Sequence, residues 1–163
     1  MPDHRFRIGH GYDLHRLQAG GTLRLGGVMV SHDVSPIAHS DGDVVIHALV
    51  DALLGALGLG DIGEHFPDSD PRYKGASSQT FLDAVMQRVR AGGFEVVNAD
   101  VTILAEQPRI KPYKAEMISR LKQALGPQSQ VNIKAGTNEK CDAIGQGQAI
   151  AAHAVVLLAR SRD

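Results

Sequence analysis

Two segments of the chain place acidic and imidazole side chains in apolar surroundings. Asp13 and His15 stand two positions apart in GYDLHRL, residues 11–17, and His47 and Asp51 interrupt the apolar segment VVIHALVDALL, residues 44–54. A strand would put the first pair on one face, and a helix would put the second pair on one stripe. An unsatisfied polar group in a buried helix costs about 1–3 kcal/mol, so each of these groups needs a partner.

A metal ion shared by Asp13, His15 and His47 would supply that partner. Two imidazoles and one carboxylate leave a fourth position open, which is typical of catalytic zinc. Asp51 could then accept a hydrogen bond from a ligand or contact a substrate. The same residues also fit a plain structural role, because a single buried histidine is more often a satisfied core residue than a ligand. Residue types and spacing alone leave both interpretations open.

Three further polar segments could contribute to a site. The glycines of GDIG, residues 60–63, allow backbone N–H groups to approach a ligand closely. KAGTNEK, residues 134–140, offers the Thr137 hydroxyl and the Glu139 carboxylate, and a carboxylate beside a phosphate suits Mg²⁺. Taken alone, FPDSDP (66–71) reads as an exposed turn and KAGTNEK as a solvated loop. The chain has no Walker-type or dinucleotide-binding motif.

Composition narrows the class of protein. The chain has 163 residues, 43% hydrophobic and 21% charged, which is ordinary for a globular enzyme. A net charge of −1 argues against nucleic-acid binding, and no apolar run reaches the roughly 20 residues of a membrane span. The single cysteine, Cys141, excludes an internal disulfide framework. We therefore expect a cytoplasmic protein without nucleic-acid or membrane partners.

The order of predicted elements indicates an α+β fold with a mixed sheet covered by helices. In the first helix we expect the SDGD segment, residues 40–43, to supply an N-cap hydroxyl and an acid three residues later. The predicted strands are FRIGHGYDL (6–14), the hairpin TLRLGGVMV (22–30), FEVVNADVTIL (94–104) and SQVNIKA (129–135). The predicted helices run from residues 40–43 to Leu57 and over QTFLDAVMQRVRAG (79–92), YKAEMISRLKQALG (113–126) and GQAIAAHAVVLLAR (147–160).

Several long segments, taken together, resemble one enzyme family. They are RIGHGYDLHRL, AHSDGDVVIHALVDALLGALGLGDIGEHFPDSDP, NADVTILAEQPRIKPY and VNIKAGTNEK, in this order. The chain is similar over essentially its whole length to the 2-C-methyl-D-erythritol 2,4-cyclodiphosphate synthases of the non-mevalonate isoprenoid pathway. The resemblance implies one domain over residues 1–163, with a ferredoxin-like mixed sheet, helices on one face and an early β-hairpin. It also implies a homotrimer with active sites between neighbouring subunits.

The resemblance further implies roles for individual residues. Zinc would bind Asp13, His15 and His47, and a second divalent cation, Mg²⁺ or Mn²⁺, would bind Glu139. His39 and Thr137 would be the catalytic residues that stabilise the transition state. The implied substrate-binding residues are Asp13, Leu14, His15, His39, Ser40, Asp61, Ile62, Gly63, Phe66, Pro67, Asp68, Ser69, Asp70, Ala105, Glu106, Gln107, Pro108, Arg109, Ile110, Lys111, Gly136, Thr137, Asn138 and Glu139.

The implied reaction starts from 4-diphosphocytidyl-2-C-methyl-D-erythritol 2-phosphate. Its 2-phosphate attacks the β-phosphorus, CMP leaves and a cyclic diphosphate forms. Two other functions use the same residues: a metal-dependent phosphohydrolase, and a non-catalytic trimeric module that binds a nucleotide or an isoprenoid. Many bacterial members also carry a Phe and an Arg that face an axial cavity and are linked to isoprenoid diphosphate binding. Ala143 and Gln146 stand there in this chain, so we do not expect that binding to carry over unchanged.

Overall fold

The computed structural model describes residues 5–161 of the chain, and residues 1–4 and 162–163 of the predicted domain lie outside the described residues. The strands are β1 Phe6–Ala19, β2 Leu23–Leu25, β3 Val28–Ser31, β4 Val34–Pro36, β5 Phe94–Leu104, β6 Gln130–Gly136 and β7 Ala149–Arg160. The helices are α1 Val44–Leu57, α2 Ile62–His65, α3 Ser78–Ala91, α4 Lys114–Leu125 and α5 Asp142–Gly145. Short 3₁₀ turns lie at Pro71–Tyr73 and Lys111–Tyr113.

One five-stranded sheet forms the centre of the fold. Its strand order is β4-β1-β7-β5-β6, with β5 and β6 parallel and the other neighbours antiparallel. Strands β2 and β3 form a separate two-stranded hairpin. The helices α1, α3 and α4 pack against β1, β5 and β6 respectively. The predicted mixed α+β fold with helices on one face and an early hairpin is therefore confirmed.

The opposite side of the sheet carries large side chains that stay exposed. Ile8, Tyr12 and Leu14 of β1 are 71%, 46% and 41% exposed, and Val155 of β7 is 38% exposed. We call this side, together with His10 and His153, the uncovered face. No helix within residues 5–161 is both long enough and apolar enough to span a bilayer.

The prediction of a helix over residues 147–160 is wrong, because this segment forms strand β7. β7 lies between β1 and β5 and contributes many buried alanine, valine and leucine side chains. Both faces of β7 carry apolar side chains, with Val155 and Leu157 on the uncovered face, so the segment shows no alternation that separates it from a buried helix. His153 therefore lies in a strand rather than in a terminal helix.

The start of α1 also differs from the predicted capping pattern. Asp43, not Ser40, is the N-cap residue, and its carboxylate accepts hydrogen bonds from the backbone N–H groups of Val45 and Ile46. The same carboxylate accepts bonds from the N–H groups of Gly26 and Gly27, at 2.9 and 2.7 Å. Asp43 therefore joins the first turn of α1 to the turn of the β2–β3 hairpin. The end of α1 at Gly58, in the left-handed conformation, is as predicted.

Close packing of α1 on β1 depends on two glycines. Gly9 and Gly11 lie on the helix-covered side of β1, where a Cβ atom would come within 1.8 Å of the Ala52 carbonyl oxygen and 1.9 Å of the Ala48 carbonyl oxygen, respectively. No other residue fits at this distance. The next two residues on the same side of β1 are Asp13 and His15, which therefore lie close to the His47 side of α1.

We predict that Gly11→Ala pushes α1 away from β1. The free energy of unfolding should fall by at least the roughly 1–3 kcal/mol typical of overpacking, and zinc affinity should fall with it, because the ligands lie on the two separated elements. Denaturant unfolding with and without zinc measures both effects. Gly55→Ala is the matched control: its Cβ would lie 4.0 Å from the nearest atom, so it should stabilise α1 by about 0.5–1 kcal/mol. Equal stability of the two variants would contradict the packing argument.

Candidate functional site

The structure brings Asp13, His15 and His47 together. His47 Nδ1 lies 3.0 Å from Asp13 Oδ2, His15 Nε2 lies 3.1 Å from the same oxygen, and the two ring nitrogens are 3.3 Å apart. Atoms bound tetrahedrally to one zinc at 2.0–2.1 Å are separated by about 3.3 Å. The donor set and its spacing therefore fit a single metal ion, as predicted. We call these three residues the metal cluster.

Charge interactions within the metal cluster are strong. Burial opposes ionisation of Asp13, but hydrogen bonds from His15 and His47 outweigh it and hold the pKa of Asp13 well below its usual range. Burial likewise opposes protonation of His47, yet Asp13 raises the pKa of His47 above its ordinary value. Without metal the cluster therefore favours a carboxylate–imidazolium pair. Metal must displace the His47 proton, so binding strengthens as the pH rises.

A hydrogen-bonded chain behind His47 orients its ring. His47 Nε2 lies 2.8 Å from the hydroxyl of Ser78, which is fully buried and donates in turn to Asp41 Oδ1. The backbone N–H of Ser78 donates to the other Asp41 oxygen at 3.1 Å. With Asp41 as the final acceptor, the Ser78 oxygen accepts the proton of Nε2. The lone pair of Nδ1 is then left for the metal, which is the tautomer that the cluster needs.

Ser40 also contacts this ring, with its hydroxyl 3.1 Å from His47 Nε2. Sequence reasoning missed Asp41 and Ser78, although Asp41 stands beside the predicted Ser40. The two residues are 37 positions apart, and nothing in their spacing connects them. Only the packing of α3 beside the start of α1 makes them neighbours.

A cavity of about 600 Å³ opens from the metal cluster. Ten of the predicted site residues line it: Asp13, His15, His39, Ser40, His47, Ile62, Gly63, Phe66, Pro67 and Asp68. The lining also includes Tyr73 and Phe81, which the sequence did not single out. The Phe66 and Phe81 rings stack at 4.6 Å, and the Tyr73 ring packs edge-on against both. One wall of the cavity is therefore aromatic.

His39 contributes an available polar atom to this cavity. Its Nε2 is buried and has no hydrogen-bond partner within residues 5–161. A buried ring nitrogen without a partner is unusual in a folded protein. His39 is therefore free to bond to an oxygen of a molecule that enters the cavity.

Asp51 positions the loop on the far side of the cavity. Its Oδ1 accepts the backbone N–H of Ile62 at 2.8 Å, and burial raises the pKa of the Asp51 carboxyl. Asp61 caps the short helix α2 by accepting the N–H of Glu64 at 3.0 Å. Asp51 was expected either to accept a hydrogen bond from a metal ligand or to contact a substrate. The contact that the structure shows is with the backbone of Ile62, a cavity residue, and not with a metal ligand.

Four other predicted residues lie outside the cavity lining: Leu14, Asp61, Ser69 and Asp70. Leu14 points to the uncovered face, away from the metal cluster. Asp70 caps the turn at Pro71–Tyr73 and pairs with Arg72 at 2.6 Å. Ser69 is exposed beside it.

The remaining predicted residues form a second group. The N–H of Ala105 donates to the Gly136 carbonyl at 3.0 Å, and the N–H of Asn138 donates to Glu106 Oε1 at 3.1 Å. The Thr137 hydroxyl lies 3.3 Å from Glu139 Oε1. The structure therefore joins segment 105–111 to loop 136–139. We call these two segments the second group.

Within one chain the second group is separate from the metal cluster. The sheet register aligns Leu14 of β1 with Ala151, Ala151 with Leu104 and Leu104 with Gly136 of β6. Three strand spacings of about 4.8 Å, roughly 14 Å in all, lie between β1 and β6. None of the second group lines the cavity at the metal cluster.

Comparison with known proteins shows the family of this chain. A family model described as the YgbB family matches residues 6–159. The chain belongs to the YgbB family. A curated relative from Ectopseudomonas mendocina (strain ymp), named 2-C-methyl-D-erythritol 2,4-cyclodiphosphate synthase, is 51% identical over 156 residues, covering 95% of this chain and 99% of that protein. The resemblance found in the sequence is confirmed.

Solved structures of YgbB-like chains have the same fold. The bifunctional IspDF from Campylobacter jejuni is 39% identical with a TM-score of 0.91, and the match covers 95% of this chain but only 42% of that longer one. IspF from Plasmodium falciparum, solved as a CDP complex, is 34% identical with a TM-score of 0.84, and the match covers 96% of this chain and 97% of that one. Both structural matches therefore extend over nearly the whole length of this chain.

We predict that Ser78→Ala weakens zinc binding by about 10- to 100-fold, because the His47 tautomer loses its acceptor. Competition with a metal chelator measures the affinity. Ser77→Ala is the matched control: Ser77 is the neighbouring N-cap residue of α3 and makes no side-chain cap bond, so its loss should leave zinc affinity unchanged. The same affinity in both variants would exclude an orienting role for Ser78.

Proposed function

We propose that this chain converts 4-diphosphocytidyl-2-C-methyl-D-erythritol 2-phosphate to 2-C-methyl-D-erythritol 2,4-cyclodiphosphate and CMP. The observation that carries the proposal is the three-ligand metal cluster at the mouth of a cavity that also holds the unpartnered His39 nitrogen. Relatives about 50% identical to the chain bear the name of this activity. As a member of this family, the chain is an enzyme of isoprenoid precursor synthesis.

The reaction needs positioning more than proton transfer. An oxygen of the 2-phosphate forms a bond to the β-phosphorus while the bond from that phosphorus to the bridging oxygen breaks, and the electron pair leaves with CMP. A phosphate nucleophile is already ionised at neutral pH, so no general base is required. The protein's task is to bend a flexible polyanion until the attacking oxygen, the β-phosphorus and the leaving oxygen are in line. Such alignment supplies on the order of 7–11 kcal/mol in favourable intramolecular cases.

Individual residues have distinct parts in this scheme. The metal cluster would hold Zn²⁺ and Glu139 would hold Mg²⁺ or Mn²⁺, and bound cations there would supply Lewis-acid polarisation of phosphoryl oxygens. His39 and Thr137 donate hydrogen bonds to the equatorial oxygens, where charge develops. Ser40 contacts the phosphate beside His39. The backbone of Asp61–Gly63 and the segment Phe66–Asp70 receive the methylerythritol portion.

We assign the binding of the cytidine portion of the substrate to the second group. We assign segment 105–111 to the cytosine ring, largely through backbone groups, and loop 136–139 to the diphosphate. The CDP complex of the Plasmodium falciparum relative supports a cytidine diphosphate ligand. We do not extend the axial isoprenoid diphosphate site to this chain, because Ala143 and Gln146 stand where many bacterial members have Phe and Arg.

We further propose that residues 1–163 form one ferredoxin-like catalytic domain that assembles as a cytoplasmic homotrimer. The separation of roughly 14 Å between the metal cluster and the second group within one chain supports active sites shared between neighbouring subunits. The exposed Ile8, Tyr12 and Leu14 support the uncovered face as part of the packing surface, because apolar patches of this kind mark protein interfaces.

The test of the function is incubation with the cytidine diphosphate substrate and Mg²⁺, followed by phosphorus NMR. We expect the cyclic diphosphate and CMP in equal amounts. Open-chain phosphates would indicate a phosphohydrolase, and binding without product would indicate a non-catalytic module; either result refutes the proposal.

His47→Ala should abolish both zinc binding and turnover while the trimer persists, whereas the exposed His32→Ala should match the parent chain. Full turnover by a zinc-free His47→Ala variant would refute the role of the metal cluster.

Thr137 offers a sharper test of the second group. Thr137→Val removes the hydroxyl but keeps the shape of the side chain, so turnover should fall about 10- to 1000-fold, as for other lost transition-state donors, while KM changes little. Thr137→Ser keeps the hydroxyl and is the matched control, with turnover within a few-fold of the parent chain. If valine and serine variants turn over equally, Thr137 does not stabilise the transition state.

A further inference from the structure

A second pair of histidines lies on the uncovered face of the sheet. His10 of β1 and His153 of β7 occupy neighbouring strands, and His10 Nε2 lies 3.2 Å from His153 Nδ1. The register pairs His10 with Val155 and Tyr12 with His153, so the two histidines are diagonal neighbours on one face. Side chains of even number in β1 point away from Asp13 and His15. The pair therefore takes no part in the reaction site.

We propose that His10 and His153 form a second metal site, which takes a late divalent transition metal such as zinc. Two nitrogens bound tetrahedrally to one zinc at 2.0–2.1 Å lie about 3.3 Å apart. The separation of 3.2 Å in the pair is close to that value and to the 3.3 Å between the His15 and His47 nitrogens of the metal cluster. The two nitrogens already face each other across this distance.

The surroundings hold these rings in place. The Tyr12 ring packs against the His153 ring with centroids 4.7 Å apart, and the His10 and His153 ring centroids are 5.5 Å apart. Val155 lies in the same row as His10 and is 38% exposed. An aromatic and apolar border limits the motion of the imidazoles and reduces competition from water for their lone pairs.

The ligand set determines which ions the site takes. Asp100 of β5 is aligned in the sheet with Val155 of β7, which is aligned with His10 of β1. The Asp100 carboxylate already accepts hydrogen bonds from Lys134 at 2.5 Å and Asn132 at 2.8 Å. The pair therefore supplies two imidazoles, and Asp100 adds no free carboxylate. Imidazole ligands suit zinc, copper and nickel, whereas magnesium and calcium prefer carboxylate oxygens.

Proton positions change in a simple way when metal binds. In the metal-free pair one ring nitrogen donates its proton to the other at 3.2 Å. On metal binding that proton moves, through solvent, to the opposite nitrogen of the same ring, and both facing lone pairs bind the ion. The number of ring protons is unchanged, and ligands from outside the pair complete the coordination. With two protein ligands instead of three, the site is weaker than the metal cluster and fills after it.

The test is equilibrium dialysis of the chelator-stripped full chain against increasing Zn²⁺, with bound zinc counted by atomic emission. We expect two ions per chain at saturation. His10→Ala and His153→Val should each bind one ion, with the affinity of the tighter site unchanged. Valine at position 153 suits a central strand.

Two further readouts separate this site from other effects. His32→Ala, which removes an exposed histidine next to β3, should still bind two ions. His10→Ala and His153→Val should keep the CMP release of the parent chain once the tighter site is loaded. Saturation of the parent chain at one ion, or two ions retained by both His10→Ala and His153→Val, would overturn the proposal and leave the pair as a hydrogen bond between rings.

Discussion

The site depends above all on how closely α1 can approach β1. Gly9 and Gly11 leave no side chain between the strand and the carbonyl oxygens of Ala52 and Ala48. This contact sets the distance at which His47 meets the next two residues on the same side of the strand. Any side chain at the glycine positions would separate the two elements, and the metal ligands would separate with them. Backbone packing, rather than a local motif, therefore creates the metal cluster.

Three acidic side chains at the start and in the middle of α1 then fasten other parts of the fold to this helix. Asp43 accepts N–H groups from α1 and from the hairpin turn, and Asp41 holds Ser78 of α3 against His47. Asp51, one turn after His47, holds the loop that lines the cavity. Each carboxylate satisfies donors that would otherwise be buried without a partner. The same interactions that stabilise the helix ends therefore also orient the catalytic surroundings.

Elements with a local signal in the sequence were predicted more accurately than elements whose structure depends on distant parts of the chain. The β2–β3 hairpin, the end of α1 at Gly58 and strand β5 carry local turn, cap or alternation signals, and all three were predicted correctly. Strand β7 was not, because both of its faces carry apolar side chains and the segment therefore resembles a buried helix. That error also placed His153 in a helix and hid its pairing with His10 across two strands. The N-cap was misplaced because Ser40 and Asp43 both suit the position.

The sequence by itself determined the family, the ligand types of the metal cluster and most of the elements that carry them, because these depend on residue identity and on periods of two or 3.6 residues. Tertiary structure alone decided that Ser78 and Asp41 stand behind His47, that the second group lies three strands from the metal cluster, and that His10 meets His153. The two contacts join residues 37 and 143 positions apart, and the second group and the metal cluster come from distant parts of the chain. Over such separations proximity arises from strand order and helix packing, which no local pattern of residues encodes.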